Sequence, residues 1–499
     1  MQDYHGIPLH SEDLLTLNEL EDFFGGSLPL LNEESSLDFG FKTKENRVTA
    51  LNLHGKKGPI PESVWHLKHL QTLKLNKVKM ETLPPQIGLL SSLENLFARR
   101  CHLKYLPESL GNLHSLRTLY LGNNYLKSLP ETIGQLGSLE SLNLVHNKLY
   151  YLPDSIGNLV NLKNLVLTFN RIESLPDSIG NLSSLQKLFI RANRLKLLPA
   201  TFGGLTCLKE ASFAINPLPA LPATIGTCRS LKWLSFRSCK IKRVPQSIGD
   251  LSQLETLLLG NNRIEYLPKT IGTLKKLKEF DLSANKLSCL PDSLGDLQNL
   301  VRLELDANNL RSLPETFGSL KSLKFLTLVV NKIGTLPESF GNLQSLTYLN
   351  MRGNFLRIFP EIICQLPNLE DLNIDKNELK SLPESIKKIH SLKRLNLNFN
   401  RLTSLPEAIG ELEHLSAISF ASNQLTTLPL RFDNLKQLTY LNIGTNEFKT
   451  LPNTILKLSP KCDLDLGINP WEGEYTAILN RIGTSRLKLE VLQKKIQNL

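Results

Sequence analysis

Three groups of residues in this chain have types and spacing that could do chemistry. Asn373, Asp375 and Asn377 alternate, and Glu384 stands eleven residues after Asn373, which is part of the outline of a calcium loop. The position that needs glycine for the sharp turn is Glu378, so the outline fails. Asp463 and Asp465 flank Leu464, but that alternation is strand periodicity and not a carboxylate pair set for acid–base work. The seven cysteines (101, 207, 228, 239, 289, 364 and 462) are odd in number and form no C-x-x-C. The ten histidines are dispersed without ligand spacing, and no G-x-x-x-x-G-K-[ST], G-x-S-x-G or H-E-x-x-H occurs. Neither a metal, nor a cofactor, nor an enzymatic activity is expected.

A different chemistry, recognition through aromatic and guanidinium groups, has better support. Phe97, Arg99, Arg100, Tyr120, His146, Val166, Phe169, Phe189, Arg191, Trp233 and Arg237 recur at strand-like positions through the first half. Aromatics interleaved with arginine are the usual composition of a protein-binding hot spot. A second zone changes sign. Asp281, Glu304 and Asp306 lie close to Glu279 and Arg302, and are followed by Phe325, Val329, Val330, Tyr348 and Arg352. A partner of matching polarity would dock on such a bipartite surface in one register. The competing reading is cross-strand packing that stabilises a sheet without any ligand.

The elements that must position these residues follow from one repeated phrase, L-x-x-L-x-L-x-x-N-x-L. Its first leucine recurs every 23 residues from Leu70 to Leu438 without insertion or deletion, in seventeen registers. Val48 adds one before them and Lys461 a degraded one after, read from Leu464, Leu466 and Asn469. Leu142 and Leu144 alternate with Asn143, which predicts a short strand with one buried face. The asparagine slot, as at Asn147, predicts a buried amide bonded to backbone from coil to coil. Cys101 and Cys239 replace it, and a thiol is a weak donor that partly stands in. Each coil returns through L-P-x-x-I-G-x-L, with proline expected at the first position of a short helix. The glycine holds from Gly88 to Gly341 and then gives way to Cys364 and Lys387, so later turns are expected to differ slightly. A fixed period of this length predicts a solenoid.

The pattern resembles leucine-rich repeat (LRR) proteins of the 23-residue L-P-x-x-I-G-x-L type, found in Ras-group scaffolds, plant disease-resistance-type chains and prokaryotic LRR proteins. It covers roughly residues 46–472. The resemblance implies an α/β fold, a right-handed solenoid or horseshoe of about 19 coils with a parallel β-sheet on the concave face and short helices or turns on the convex face. At a strand spacing of ~4.8 Å, the sheet would line an arc of roughly 85–90 Å. It also implies small GTPases or their regulators as one partner class, by analogy of fold alone.

The unbroken repeat overrides the multi-domain expectation for 499 residues. We expect an N-terminal cap over 1–47, the solenoid over 48–471 and a C-terminal helical cap over 472–499. Ser11 is expected to N-cap a helix over 12–24 that ends at Gly25, and Phe39 to Val48 a hairpin. Residues from about Tyr475 to Leu499 read as helix, with Leu489, Leu492, Ile496 and Leu499 at 3–4 spacing. The net charge is +11, but residues 1–47 hold ten acidic and three basic groups. The cysteine usage, the polar start and the lack of any long apolar run point to a reducing, cytoplasmic setting without membrane contact.

Function is expected to be non-enzymatic: a scaffold or recognition protein, taken to be monomeric, that binds a protein partner on the concave face in intracellular signalling. The alternatives are a nucleic-acid-binding solenoid, disfavoured by the acidic middle of the sheet, or a targeting subunit of an enzyme complex.

Overall fold

The computed structural model describes residues 2–31, 39–56, 60–473, 476–482 and 486–497. It forms two compact units, Met1–Ile241 with Asp250–Leu254, and Lys242–Gly249 with Glu255–Leu499. The same coil builds both.

A coil starts as a three-residue strand such as Asn95–Phe97. Leu96 at its centre is fully buried, while Asn95 and Phe97 are half-buried on the open face. In the first unit the strands pair in parallel, in sequence order, from Arg47–Asn52 to Trp233–Ser235. Leucine stands beside leucine in this register, as Leu96 beside Leu119. The second unit repeats this from Thr256–Leu258 to Asp463–Asp465. A one-residue slip would turn every leucine to solvent, so burial of one face fixes the register.

The asparagine that follows most of the strands ties its coil to the one before. Asn193 accepts the Ile172 N–H on Oδ1 at 2.9 Å and donates Nδ2 to the carbonyls of Leu167 (2.9 Å) and Ile190 (3.1 Å). The same three bonds recur at Asn308, Asn400 and Asn423. At Cys101 the thiol donates to the Leu75 carbonyl at 3.0 Å, the register in which Asn124 donates to Ala98, so the stand-in is confirmed.

The chain returns through five-residue 3-10 turns such as Glu131–Gln135 and Asp154–Asn158. The proline stands one residue earlier than its expected place. Pro130 is the extended cap residue (φ −68°, ψ 151°), and its carbonyl accepts the Ile133 N–H at 3.1 Å. Its ring fixes a φ that suits this extended cap as well as a helix start. Glycine at Gly134 lets the next turn approach, since a Cβ there would lie 2.7 Å from the Ser155 Cβ. Hydroxyls bind turn to turn: Thr132 donates to the Glu108 carbonyl at 2.7 Å and Thr316 to Asp292 at 2.6 Å.

At the start, Gln2–Tyr4 and Ile7–Leu9 form a small hairpin before the helix Ser11–Phe24. The helix cap is His10 and not Ser11, because the His10 carbonyl already accepts the Leu14 N–H while its own N–H is held by Asn46. Gly25 ends the helix in the left-handed conformation, as expected. Asp13 is buried from that helix onto the first strand, accepting the Val48 N–H at 2.6 Å and Arg47 at 3.2 Å. Gly40–Lys44 pairs antiparallel with Arg47–Asn52 through left-handed Glu45 and Asn46, the expected hairpin.

At the other end, the expected single helix is two, Thr476–Ile482 and Leu489–Gln497. Between them Leu487–Lys488 pairs antiparallel with Asp463–Asp465. The last repeat strand has an open edge, and this segment covers it. Leu489 and Leu492 are buried, Ile496 is half-buried, and Leu499 lies outside the described residues. Among the described residues no helix is long and apolar enough to cross a membrane.

Candidate protein-binding surface

The residues flanking each buried strand leucine form two rows on the open sheet face. A third row comes from the residue that turns the chain after the strand. It holds left-handed φ in successive coils, as at Arg100 (58°), His146 (54°) and Phe169 (58°). That conformation aims its N–H at the following coil, where His146 donates to Thr168 and Phe169 to Arg191.

The structure brings the first set of residues into three local groups. The Phe97 and Tyr120 rings meet edge to face, 5.3 Å between centroids. The Lys74 ammonium lies 5.8 Å from the Phe97 ring, and burial with Lys42 nearby pulls its pKa down. Arg99 and Arg100 project exposed beside this pair, their backbones held by Asn76 and Gly122. In the second group the His146 imidazole stacks on Phe169, 4.3 Å apart with planes 8° from parallel, and the Arg191 guanidinium lies 5.8 Å from the Phe169 ring. Val166 stands half-buried on the neighbouring row. In the third, Phe189 and Trp233 approach to 6.4 Å across the strand Glu210–Ser212, whose Ala211 and Ser212 are small and buried. Arg237 projects exposed from the same coil as Trp233.

The second zone differs from its expected form. Asp281 stands in the open-face row of its strand but is 1% exposed, so its carboxylate is covered there. The preceding coil has Gly260, whose missing side chain leaves the space that the Asp281 carboxylate fills, and Asp281 accepts the Ser283 N–H (2.9 Å) and hydroxyl (2.6 Å). Asp306 is half-buried and leans along the sheet to the next coil, accepting the Thr327 hydroxyl and the Val329 N–H. Burial pushes its carboxyl above the ordinary range despite those two bonds, and Glu304 and Asp281 add to the push. Glu304 holds the Arg302 Nε at 2.7 Å. The open part of this zone is instead a cation–aromatic stack. The Arg302 guanidinium lies 3.8 Å over Phe325, and Phe325 stacks on Tyr348 at 4.3 Å and 6°. Arg352 pairs with Asp375 at 3.4 Å, and Val329 is half-buried.

One feature was not legible from residue types. In the second unit a cleft of about 970 Å³ opens beside the turn Glu361–Gln365. Ile362 stands where the neighbouring coils have Thr316 or Ser339, so the hydroxyl-to-carbonyl tie across the turns cannot form. Cys364 replaces the glycine, and Pro360 has ψ 98° where Pro337 has 153°. Phe355, Ile358 and Phe359 line the opening with Glu338, Glu361 and Lys388. The substitution of glycine was the available signal; the missing tie needed the bonding pattern.

Among the described residues no group of three or more metal-ligating side chains comes together. Stacked rings, half-exposed apolar groups and guanidinium ions can bind a surface, and nothing in these rows forms a nucleophile–base pair.

The comparisons agree with this architecture. Family models described as "Leucine-rich repeat region" match within residues 222–400, and models described as "Leucine rich repeat" match 106–149, 160–210 and 390–448. No curated protein matches the chain. Among solved structures, an LRR protein of Leptospira interrogans is 32% identical, with 83% of this chain and 95% of that chain covered and a TM-score of 0.60. A plant peptide hormone receptor, solved in complex with its peptide, is 26% identical over 87% of this chain and 83% of its own, with a TM-score of 0.63. The Drosophila Toll–Spatzle complex, at 22% identity, 82% and 59% coverage and a TM-score of 0.69, shares the fold. The stacked leucine strands, the asparagine ties and these matches lead to one conclusion: the chain belongs to the leucine-rich repeat family.

Proposed function

We propose that this protein is a non-enzymatic recognition protein that takes a protein partner on the open sheet face of its first unit. The observation that carries the reading is the exposure of aromatic groups already packed against cations there, above all His146, Phe169 and Arg191. A contiguous exposed apolar patch of this kind marks an interaction site. Leucine-rich repeat folds serve protein–protein interaction, and a relative of similar length is a receptor solved with a peptide. The rigid rings are anchors that lose little conformational entropy on binding.

We further propose that the protein works in a reducing compartment, as a monomer in signalling. All seven cysteines are free, five of them buried, so the fold needs no disulfide.

The test is a quantitative pull-down with wild type beside a Phe97→Ala, Tyr120→Ala, Phe189→Ala variant, both checked by circular dichroism. Loss of one protein from the folded variant supports the reading and names the partner. Identical captured sets would reduce the aromatic rows to sheet packing.

A further inference from the structure

A surface separate from the sheet face runs along the flank of the first unit, where each coil leaves its asparagine. A second series of backbone bonds holds this flank in register. Lys148 N–H donates to Leu126, Arg171 to Leu149 and Arg194 to Ile172, and one step on Tyr150 donates to Lys127. Side chains on successive coils are therefore stacked in columns. At the spacing of paired strands, neighbours in a column stand ~4.8 Å apart.

The columns carry exposed tyrosines overlaid by cations. The Lys148 ammonium lies 4.5 Å from the Tyr125 ring. Arg171 donates to the Tyr150 hydroxyl at 3.0 Å. That bond, and the charges of Arg171, Lys127 and Arg194, hold the Tyr150 phenol below its ordinary pKa. The two carboxylates in the columns are already matched, Glu81 by Lys104 at 2.5 Å and Glu173 by Lys196 at 2.7 Å. The remaining cations have no ion pair among the described residues.

We infer that this flank is a second docking surface and that it receives the acidic face of a helix from a partner protein. Charge complementarity sets the sign. Spacing sets the element: carboxylates at i and i+4 of a helix stand ~5–6 Å apart, close to the step of Lys148, Arg171 and Arg194, whereas alternate residues of an extended strand are spaced ~6.8 Å. A nucleic acid fits less well, because Tyr125 and Tyr150 offer cation-covered rings and not bare stacking platforms.

Fluorescence anisotropy on the full chain tests this with three labelled probes. One is a helical peptide with glutamates at i, i+4 on a single face. The second has the same composition with the glutamates scattered, and the third is a single-stranded oligonucleotide of equal charge. The striped peptide should bind best, weaken steadily with salt, and lose at least tenfold in affinity in a Lys148→Ala, Arg171→Ala, Arg194→Ala variant. A Lys286→Ala, Arg311→Ala, Lys332→Ala variant, equal in charge removed but in the second unit, should bind as wild type. Should the first variant misfold, Arg194→Gln alone must still weaken the striped peptide. Equal loss in both triple variants, equal binding of the scattered peptide, or tighter binding of the oligonucleotide would overturn the proposal.

Discussion

The imidazole of His146 lies flat against the ring of Phe169, on adjacent coils, and both residues hold left-handed backbone (φ 54° and 58°). The architecture demands that conformation at this register, because the N–H must reach the next coil. It does not demand large side chains. Asn123, Ala192 and Asn261 serve the same position elsewhere. A left-handed residue other than glycine costs ~1–2 kcal/mol, so the choice of Phe169 is not one that folding explains.

Phe169→Gly therefore separates stability from recognition. Glycine relieves the left-handed strain and costs ~0.5–1 kcal/mol in backbone entropy, so the net change in stability should be within about 1 kcal/mol. The stack on His146 and the contact with Arg191 are lost. Urea unfolding should be nearly unchanged while partner capture falls; a midpoint that drops by more than the equivalent of about 2 kcal/mol would make Phe169 a folding residue.

Asn193→Ala should be among the most damaging single changes. It leaves the buried Ile172 N–H without its acceptor and takes one of two amide donors from the Leu167 and Ile190 carbonyls, which keep Asn170 and Asn216, at a cost of about 2 kcal/mol. Cys101→Asn should instead be nearly neutral, since the site already places a donor against the Leu75 carbonyl. Thermal melts of the two variants side by side read the difference directly.

Asp306→Asn should stabilise the protein at neutral pH. The folded carboxyl is pushed above its unfolded value, so its contribution is fully present below the unfolded pKa and is lost as pH rises through the folded one. Asparagine keeps the acceptor without that loss. Asn398, at the same register, accepts the Ser419 hydroxyl at 2.7 Å and the Ala421 N–H at 2.6 Å. The gain in melting temperature should be clear at pH 7 and shrink toward pH 4; a gain of equal size at both would refute the ionisation argument.

Thiol chemistry should divide the cysteines in two. Cys207 and Cys289 are exposed and should react with a disulfide reagent in the native state at pH 8, while the other five wait for unfolding. Burial pushes Cys101, Cys239 and Cys462 up to about 11 and Cys228 up to about 12. Their folded values lie above the unfolded value near 9, so the stability tied to the protonated thiols holds below that pH. It is lost as pH rises toward 11–12. Alkaline unfolding in that window, followed by circular dichroism, checks the sign.

The sequence disclosed whatever depends on period. Leucine, asparagine and glycine recur because each coil repeats the same contacts, and their roles could be assigned from one phrase. It disclosed less where a contact depends on a neighbour 21 to 24 residues away. The burial of Asp281 follows from the missing side chain of Gly260, and the lean of Asp306 onto the next coil from Thr327 and Val329. Both acids looked like surface because their own positions face outward by alternation. The flank around Tyr150 stayed hidden for a related reason: Lys148, Arg171 and Arg194 fill a variable place of the repeated phrase, between its asparagine and last leucine, and only the second series of backbone bonds shows that they line up. The pairing of Leu487–Lys488 as a strand depended on an exposed strand edge, which helical spacing does not reveal.

The ties between coils join residues 21 or 26 apart through the asparagines and 24 apart through the hydroxyls. Length in this molecule is therefore quantised. Removing 23 consecutive residues from within one unit, such as 139–161, brings together ends with the same bonding pattern and leaves each leucine inside. Removing 22 turns the following strand leucines outward. A gene for such a chain can be shortened or duplicated in whole coils by recombination between its own repeats, so recognition surface can grow or shrink by a fixed step while the rules that fold it stay the same.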